Sequence, residues 1–324
     1  MGFNIDRRAL LAGIACAATA PQLAHAAWPE RTITLVHGFA PGGNADVVAR
    51  IVAEALTRKL DAQFIVEPKP GAGGTLAAAY VARAKPDGQI LAVLPGGHPV
   101  SAAIYKQLPY RTVEDFTWIT EITDYPFILA TYNEHPVKHI NQLVDYARSA
   151  SKPLLCANVG NGSGQHLSGE LLAAMAKIRI DQVPYKGGPE GMLDVIAQRI
   201  DLIVDTPTVL LERVRAGQLR ALAVTSASRF FALPDTPTVA EGGIAGYDTN
   251  SWLGLAAPAG LSPEIVARLN AVMREILGDE TIASRLRALG SNPSPSSGEA
   301  LRDKVAAEVV KWTKVVTDAH IERL

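Results

Sequence analysis

The apolar positions of this chain alternate between two repeat lengths. A short run of β-prone apolar residues at 33–36 is followed by a glycine-rich turn at 38–46. After that turn, apolar residues recur at intervals of three and four positions as far as Leu56, which is the spacing of one buried helix face. This part of the chain therefore predicts a strand, a tight turn and the N-terminus of a helix.

The same order of strand, glycine turn and helix recurs along the chain. A strand at 63–67 precedes the glycines at 71–74 and an alanine-rich helix, and a third strand at 89–94 ends before Gly96 and Gly97. A strand at 154–157 and a turn at 160–164 repeat the pattern in the second half. Strands that alternate with helices predict parallel-rich sheets with helices on both faces, and ligands of such sheets bind at the carboxyl ends of the strands.

The chain is predicted to fold into two units and to cross between them twice. We place the first crossing at residues 123–126, since a Pro-containing segment separates two strands there, and the return crossing at residues 226–233. The predicted fold class is α/β, with lobe 1 formed by residues 27–124 and 227–324 and lobe 2 by residues 125–226. Two crossings make a hinge, and a ligand cleft is expected between the two rows of strand ends.

The first 26 residues predict an export signal. Arg7 and Arg8 form a short basic region, residues 9–20 are apolar but too few to span a bilayer, and Ala24 and Ala26 make a small-residue cleavage site. We expect cleavage near Ala26 and an exported protein. The paired arginines leave the route open between twin-arginine and general secretion.

Composition and charge exclude several classes of protein. The chain has 324 residues, 48% of them hydrophobic and 19% charged, which is typical of globular domains. Removing the signal takes away two of 31 basic and one of 32 acidic residues, so the mature charge is −2. Neither a nucleic acid nor a membrane surface is an expected partner of such a chain. Cys156 is then the single cysteine, and it lies in an apolar strand, so we expect a core residue.

Known catalytic and metal-binding motifs do not fit this sequence. The Gly-Asn-Gly-Ser-Gly run at 160–164 differs from a dinucleotide fingerprint, because its third glycine comes one residue early. Phosphate-loop, nucleophile-elbow and paired-histidine metal spacings do not occur, so no cofactor and no metal are expected. An alternative function is an exported serine hydrolase in which His166 acts as the general base for Ser163.

The remaining chemistry consists of backbone N–H groups and small hydroxyls at several helix starts. Such groups bind and orient anions but transfer protons poorly. The glycine turns contain no arginine, so an anion there would be held by amides, hydroxyls and bridging water. Several bonds of this kind support an affinity of about micromolar.

Eight segments together resemble one protein family over the whole mature chain. They include Phe-Ala-Pro-Gly-Gly-Asn-Ala-Asp at 39–46 and Gly-Asn-Gly-Ser-Gly-Gln-His-Leu at 160–167, and the others lie at 66–74, 183–187, 219–225, 233–241, 252–258 and 312–316. They resemble the tripartite tricarboxylate transporter substrate-binding proteins, also called Bordetella uptake gene receptors. The resemblance implies a two-lobed, periplasmic-binding-protein-like fold (a Venus flytrap) and a receptor that delivers small carboxylates to a membrane permease.

The resemblance also implies which residues form the site. The turn at 39–46 and the turn at 161–166 would grip the ligand from opposite lobes, partly through water, and residues 185–187 with Asp205 would complete the cleft. The candidate ligand-binding residues are Phe39, Ala40, Pro41, Gly42, Gly43, Asn44, Asp46, His98, Asn161, Gly162, Ser163, Gly164, His166, Tyr185, Gly187 and Asp205. Asp46 would cap and orient its turn, because a carboxylate facing the anion would repel it. Phe39, His98 and Tyr185 would decide between aliphatic and aromatic acids.

The partners expected are a small mono-, di- or tricarboxylate and the integral-membrane permease subunits, with a monomeric periplasmic receptor that is not an enzyme. A ligand sensor for a membrane signalling partner is a second alternative. The genes beside the gene for this protein would distinguish a transport receptor from a sensor, since transport requires integral-membrane subunits.

Overall fold

A computed structural model of the protein describes residues 28–29 and 31–324. The predicted export signal at 1–26, with its cleavage site near Ala26, lies outside the described residues.

The described chain contains eleven strands and ten α-helices, numbered here in chain order. The strands are β1 (Ile33–His37), β2 (Phe64–Pro68), β3 (Ile90–Pro95), β4 (Phe116–Pro126), β5 (Ile128–Tyr132), β6 (Leu154–Asn158), β7 (Ile180–Pro184), β8 (Leu202–Asp205), β9 (Leu219–Val224), β10 (Asn250–Pro258) and β11 (Asn292–Pro293). The helices are α1 (Asn44–Leu60), α2 (Thr75–Ala82), α3 (Gly97–Ile104), α4 (Ile140–Ser149), α5 (Gly164–Ala176), α6 (Gly188–Ile196), α7 (Pro207–Arg215), α8 (Pro263–Gly278), α9 (Glu280–Ala288) and α10 (Gly298–Asp318).

The strands form two separate mixed sheets. The first has the order β11-β4-β10-β3-β1-β2, with β1 parallel to β2 and β3, and β10 antiparallel to β3 and β4. The second has the order β7-β6-β8-β5-β9, with β6 parallel to β7 and β8, and β5 antiparallel to β8 and β9. The predicted α/β class agrees with this arrangement, but the sheets are mixed rather than parallel-rich. The first has two parallel and three antiparallel pairings, and the second has two of each.

Helices cover both faces of the first sheet. Along β1, Ile33 and Leu35 belong to the same buried cluster as Val52 of α1, whereas Val36 belongs to a second cluster with Ala78 of α2. Successive side chains of a strand point to opposite faces, so both faces of β1 are buried. This burial explains why the strand reads as a continuous apolar run rather than an alternating one.

Two passages of chain join the sheets, and the first lies later than predicted. Residues 123–126, expected to be a crossing, form the end of β4, where Tyr125 pairs with Ser251 of β10. Pro126 is the last residue of this strand and not part of a loop, because a proline is tolerated at a strand terminus. The passages are Phe127 alone and residues 225–249, and they are tied together because the Phe127 N–H donates to Thr225 Oγ1 at 2.9 Å.

The last helix packs on the first unit. Val305, Trp312 and Val316 of α10 are buried, and Trp312 belongs to a cluster with Val100 and Ile104 of α3. The sequence reasoning had not predicted α3. Across the residues that the structure describes, no helix combines the length and the apolar character needed to cross a membrane.

Candidate functional site

Five helices begin at one cavity between the two sheets. The cavity is narrow in this closed arrangement, with a volume of about 30 Å³. Each of these helices contributes lining from its cap or first turn, namely Gly43, Asn44 and Ala45 for α1, Gly97 for α3, Gly164 and Gln165 for α5, Gly188 for α6 and Thr206 for α7. The first N–H groups of a helix have no partner inside it, and the helix dipole places partial positive charge there. The cavity is therefore surrounded by hydrogen-bond donors.

Four of the five helix starts have no side-chain cap in the described structure. The cap residues Gly43, Gly96 and Gly187 carry no side chain that could accept, and Thr206 makes no such bond. At the fifth, Ser163 Oγ accepts from the backbone N–H of His166 at 3.1 Å. Uncapped helix starts of this kind suit an anionic ligand whose oxygens take the place of the caps.

Three buried polar side-chain atoms on lining residues lack a hydrogen-bond partner within the described chain. They are Asn44 Nδ2, Asp205 Oδ2 and Thr206 Oγ1. The opposite oxygen of Asn44 is occupied, since it accepts from Thr208 Oγ1 at 2.6 Å. An unpaired buried polar group costs about 1–3 kcal/mol, so three at one cavity point to a polar ligand.

Asp205 is the acidic residue of the cavity. Its Oδ1 accepts from the Thr206 N–H at 2.6 Å and from Gln165 Nε2 at 3.3 Å. Burial raises the pKa of Asp205 to about 6, against the lowering effect of the backbone and side chain of Thr206 and of the Gln165 side chain. Among the residues that line the cavity in the described chain, none is Lys, Arg or His. A bound anion would consequently be stabilised by amide and hydroxyl dipoles rather than by a cationic side chain.

In the described chain, five hydrogen-bond contacts close the cleft beside this cavity. Each joins the first unit to the second: Ala40 N–H to Lys186 O (3.0 Å), Ser101 Oγ to Gly162 O (3.1 Å), Tyr105 Oη to Asn161 O (2.9 Å), and Thr208 Oγ1 to Asn44 Oδ1 (2.6 Å) and to Leu289 O (3.3 Å). The two units also meet at Gly73, where a Cβ would lie 2.5 Å from the Asn161 carbonyl oxygen. Glycine is needed at this point because backbone approaches backbone there.

The turn at 38–46 is held by Asp46, as the sequence predicted for that residue. Asp46 Oδ2 accepts from the Gly42 N–H at 3.0 Å, and its carboxylate also pairs with Arg50 and His37. Burial alone would raise the pKa of Asp46, but the hydrogen bonds from Arg50 and Gly42 outweigh it and lower the pKa. The carboxylate thus fixes the turn rather than facing the cavity.

The predicted site residues divide into groups. Those that line the cavity are Phe39, Gly43, Asn44, Gly164 and Asp205. Ala40 and Gly187 face each other across the closed cleft, and the Asn161 and Gly162 carbonyls accept the closing bonds from Tyr105 and Ser101. Pro41 and Gly42 are exposed, and the Tyr185 hydroxyl donates to Asp194 at 2.7 Å.

His98 was expected in the cleft, and the structure places it elsewhere. Its ring stacks on Tyr110 at 5.4 Å between centroids, and Nε2 lies 2.9 Å from the Thr112 carbonyl oxygen. Burial lowers the pKa of His98 to about 4, so the ring is a neutral core group. The preceding residue, Gly97, lines the cavity instead, because α3 begins there and the next side chain turns into an aromatic cluster.

Ser163 and His166 are arranged as a helix start rather than as a nucleophile and base. The serine hydroxyl accepts from the backbone of His166, while the ring Nδ1 of His166 lies 3.4 Å from the Gly162 nitrogen. Burial lowers the pKa of His166 to about 4. Within the described chain, no three His, Cys, Asp or Glu side chains are grouped as metal ligands would be.

Sequence reasoning missed two kinds of lining residue. The missed residues are Ala45, Pro95, Gly97, Tyr125, Val159, Gln165, Gly188, Thr206, Ser251 and Leu253. Several of them adjoin predicted positions, and Thr206 stands before a proline that begins a helix, which is a recognisable cap signal. Tyr125, Ser251 and Leu253 lie within strands and carry no local signal.

Comparison with known proteins gives a consistent set of matches. The family model described as "Tripartite tricarboxylate transporter family receptor" matches residues 48–321. The structure is similar to the periplasmic binding protein BugD, with a TM-score of 0.88 and 32% identity over 92% of this chain and all of that one. An R. palustris protein solved with adipate has a TM-score of 0.88 and 34% identity over 92% of this chain and all of its own. MatC from Rhodopseudomonas palustris, solved with bound malate, has a TM-score of 0.86 and 32% identity over 89% of this chain and all of its own. These matches confirm the predicted two-lobed, periplasmic-binding-protein-like fold.

Proposed function

The chain belongs to the tripartite tricarboxylate transporter receptor family, and on that premise we propose that it captures a small carboxylate in the periplasm and delivers it to the membrane subunits of a tripartite transporter. The ligand class is supported by two similar structures, one solved with adipate and one with malate. BugD, a periplasmic binding protein, supports the compartment.

One observation about the site carries the proposal. Five helix starts meet at a cavity whose lining, in the described chain, contains no cationic side chain. Amide dipoles hold a carboxylate without the strong charge pairing that slows release. A receptor that must give its ligand to a permease requires such reversible binding. Amide and hydroxyl groups transfer protons poorly, so binding rather than turnover is the activity they suit.

We assign the moving parts to the two sheets. The first lobe comprises the described residues up to 126 and residues 250–324, the second comprises residues 128–224, and the hinge is Phe127 with residues 225–249. The hydrogen bonds that cross the cleft, such as Ala40 N–H to Lys186 O, support closure over the cavity. Opening would break these bonds and admit the ligand.

A thermal-shift screen of mono-, di- and tricarboxylates that includes adipate and malate tests the proposal. A ligand that binds only the folded protein stabilises it by about 2.7 kcal/mol at a hundredfold excess over the dissociation constant. We expect at least one carboxylate to raise the melting temperature with saturable concentration dependence. No shift with any member of the panel, or consumption of a carboxylate by the protein, would contradict the function.

A further inference from the structure

The carboxyl group of Asp205 has one satisfied and one unsatisfied oxygen. Oδ1 accepts from the Thr206 N–H and from Gln165 Nε2, whereas buried Oδ2 has no hydrogen-bond partner within the described chain. The residue is 2% exposed and lines the cavity. A Cβ added to Gly188 would lie 2.0 Å from Oδ2, so only glycine leaves room for this oxygen beside the start of α6.

The other unpaired polar side-chain atoms of the cavity lining can donate. The unpaired Asn44 Nδ2 donates, the unpaired Thr206 hydroxyl can donate, and the helix starts present backbone N–H groups. A ligand carboxylate accepts from all of these. An ionised Asp205 would be the exception, because it would place a second negative charge in the same low-dielectric cavity as the ligand.

We propose that Asp205 binds the ligand as a neutral carboxylic acid whose Oδ2–H donates to a ligand carboxylate, so that capture of each ligand takes up a proton from the buffer. This inference rests on the proposed carboxylate-receptor function. It adds a property to the receptor: the affinity falls as the pH rises. The rival arrangement is an ionised Asp205 that accepts from a ligand ammonium group. An ammonium group has three N–H donors and would need an acceptor for each. Among the lining side chains of the described chain, Oδ2 is the one unpaired atom that can only accept, so this rival leaves ammonium donors without side-chain partners.

The groups packed around Asp205 do not supply a competing charge. They are Ile128 of β5, Gln165 of α5, Gly188 of α6, Thr206 before α7 and Tyr125 of β4. Of these, Tyr125 alone titrates, and burial raises its pKa to about 12, so it stays neutral. Burial has already raised the pKa of Asp205 to about 6, and a ligand carboxylate nearby raises it further.

Titration calorimetry with adipate, or with malate if adipate gives no heat, measures the proton directly. The wild-type protein is titrated at pH 7 in phosphate and in Tris, whose ionisation enthalpies differ. With a pKa of about 6 before binding, Asp205 is about nine-tenths ionised at pH 7, so we expect uptake of about 0.9 proton per ligand. The dissociation constant should weaken about tenfold between pH 7 and pH 8.

Asp205→Asn supplies a neutral group of the same shape that keeps both an acceptor and a donor. We expect this variant to bind without proton uptake, with an affinity that is constant from pH 6 to pH 8. Asp145→Asn, an exposed aspartate of α4, is the matched control and should behave as the wild type does.

Each other outcome has a definite meaning. Equal enthalpies in the two buffers for the wild-type protein overturn the proposal, and this measurement does not depend on the folding of any variant. Loss of binding in Asp205→Asn overturns it in favour of the ionised acceptor. Proton uptake that persists in Asp205→Asn assigns the proton to the ligand and also overturns it. If no carboxylate of the thermal-shift panel, adipate and malate included, binds to any form, the carboxylate-receptor function itself fails.

Discussion

Adding one methyl group at Gly187 should disturb the closed cleft and nothing else. Gly187 has an extended backbone with φ −169°, which alanine adopts without strain. Its added Cβ would lie 2.7 Å from the Cβ of Ala40 in the opposite lobe. Carbon atoms pack favourably at about 3.5–4.0 Å, so closure would have to stop about 1 Å short or push the two turns apart. The Ala40 N–H to Lys186 O bond adjoins this contact and would lengthen with it.

The cost should appear as lost affinity rather than lost stability. Overpacking by one methyl group costs about 1–3 kcal/mol in a closely packed region. An open cleft relieves the clash, so the strain weighs only against the closed, ligand-bound form. That range corresponds to a dissociation constant about 5- to 150-fold weaker. Titration calorimetry with adipate or malate measures the change, and the thermal midpoint of the ligand-free protein should be nearly unchanged.

A second substitution tests whether the clash itself is the cause. Ala40→Gly removes the methyl group that Gly187→Ala would meet, so the double variant should regain most of the lost affinity. Gly278→Ala is the control, because no atom lies within 4 Å of its added Cβ and its φ is not positive. The reasoning is refuted if Gly187→Ala binds as tightly as the wild type, or if the double variant stays as weak as Gly187→Ala.

The remaining predictions concern buried titratable groups. Burial lowers the pKa values of His98 and His166 to about 4, so each contributes about 3 kcal/mol of stability that is complete above pH 6.5 and is lost as the pH falls towards 4. Urea unfolding at pH 7 and pH 4.5 measures this decrease in the free energy of unfolding. The explanation is contradicted if His98→Gln shows as large a decrease between the two pH values as the wild type does. The pH dependence that Asp205 gives to the stability has the opposite sign. Because its pKa is raised to about 6, the free energy of unfolding decreases as the pH rises from about 4 to 6. Asp205→Asn should therefore unfold at pH 7 with a free energy about 3 kcal/mol higher than the wild type, with almost no difference at pH 4. Cys156 is buried and its pKa is raised by burial to about 12, so a disulfide reagent should leave the native protein unmodified and react fully in urea. Rapid labelling without denaturant would show that the thiol is accessible.

The sequence predicts the strand ends of this molecule well. The strand at 33–36, the turn that follows it and α1 agree with the structure, because local glycine chemistry and helical spacing decide them. Asp205 directly follows the apolar run at 202–204, and the structure places it at the end of β8 and in the cavity. These features depend on neighbours along the chain, which a single sequence displays.

The residues that were missed depend on pairing between distant parts of the chain. Tyr125 and Ser251 reach the cavity because β4 pairs with β10 in a particular register, which no local pattern encodes. His98 illustrates the reverse error, since it follows a glycine pair but turns into the aromatic core with Tyr110 and Phe116. If a helix begins one residue earlier or later, the side chains of its first turn point in different directions. Sequence patterns do not locate the start of a helix to within one residue.

The central claim is that helix starts hold a ligand through its negative charge. The most direct test is a pair of calorimetric titrations with the strongest diacid from the screen and with its diamide, for example adipate and adipamide, which have nearly the same shape. The account predicts saturable binding of the diacid at a single site and no measurable binding of the diamide. Equal affinity for the two compounds would contradict it, because shape rather than charge would then be what the cavity recognises.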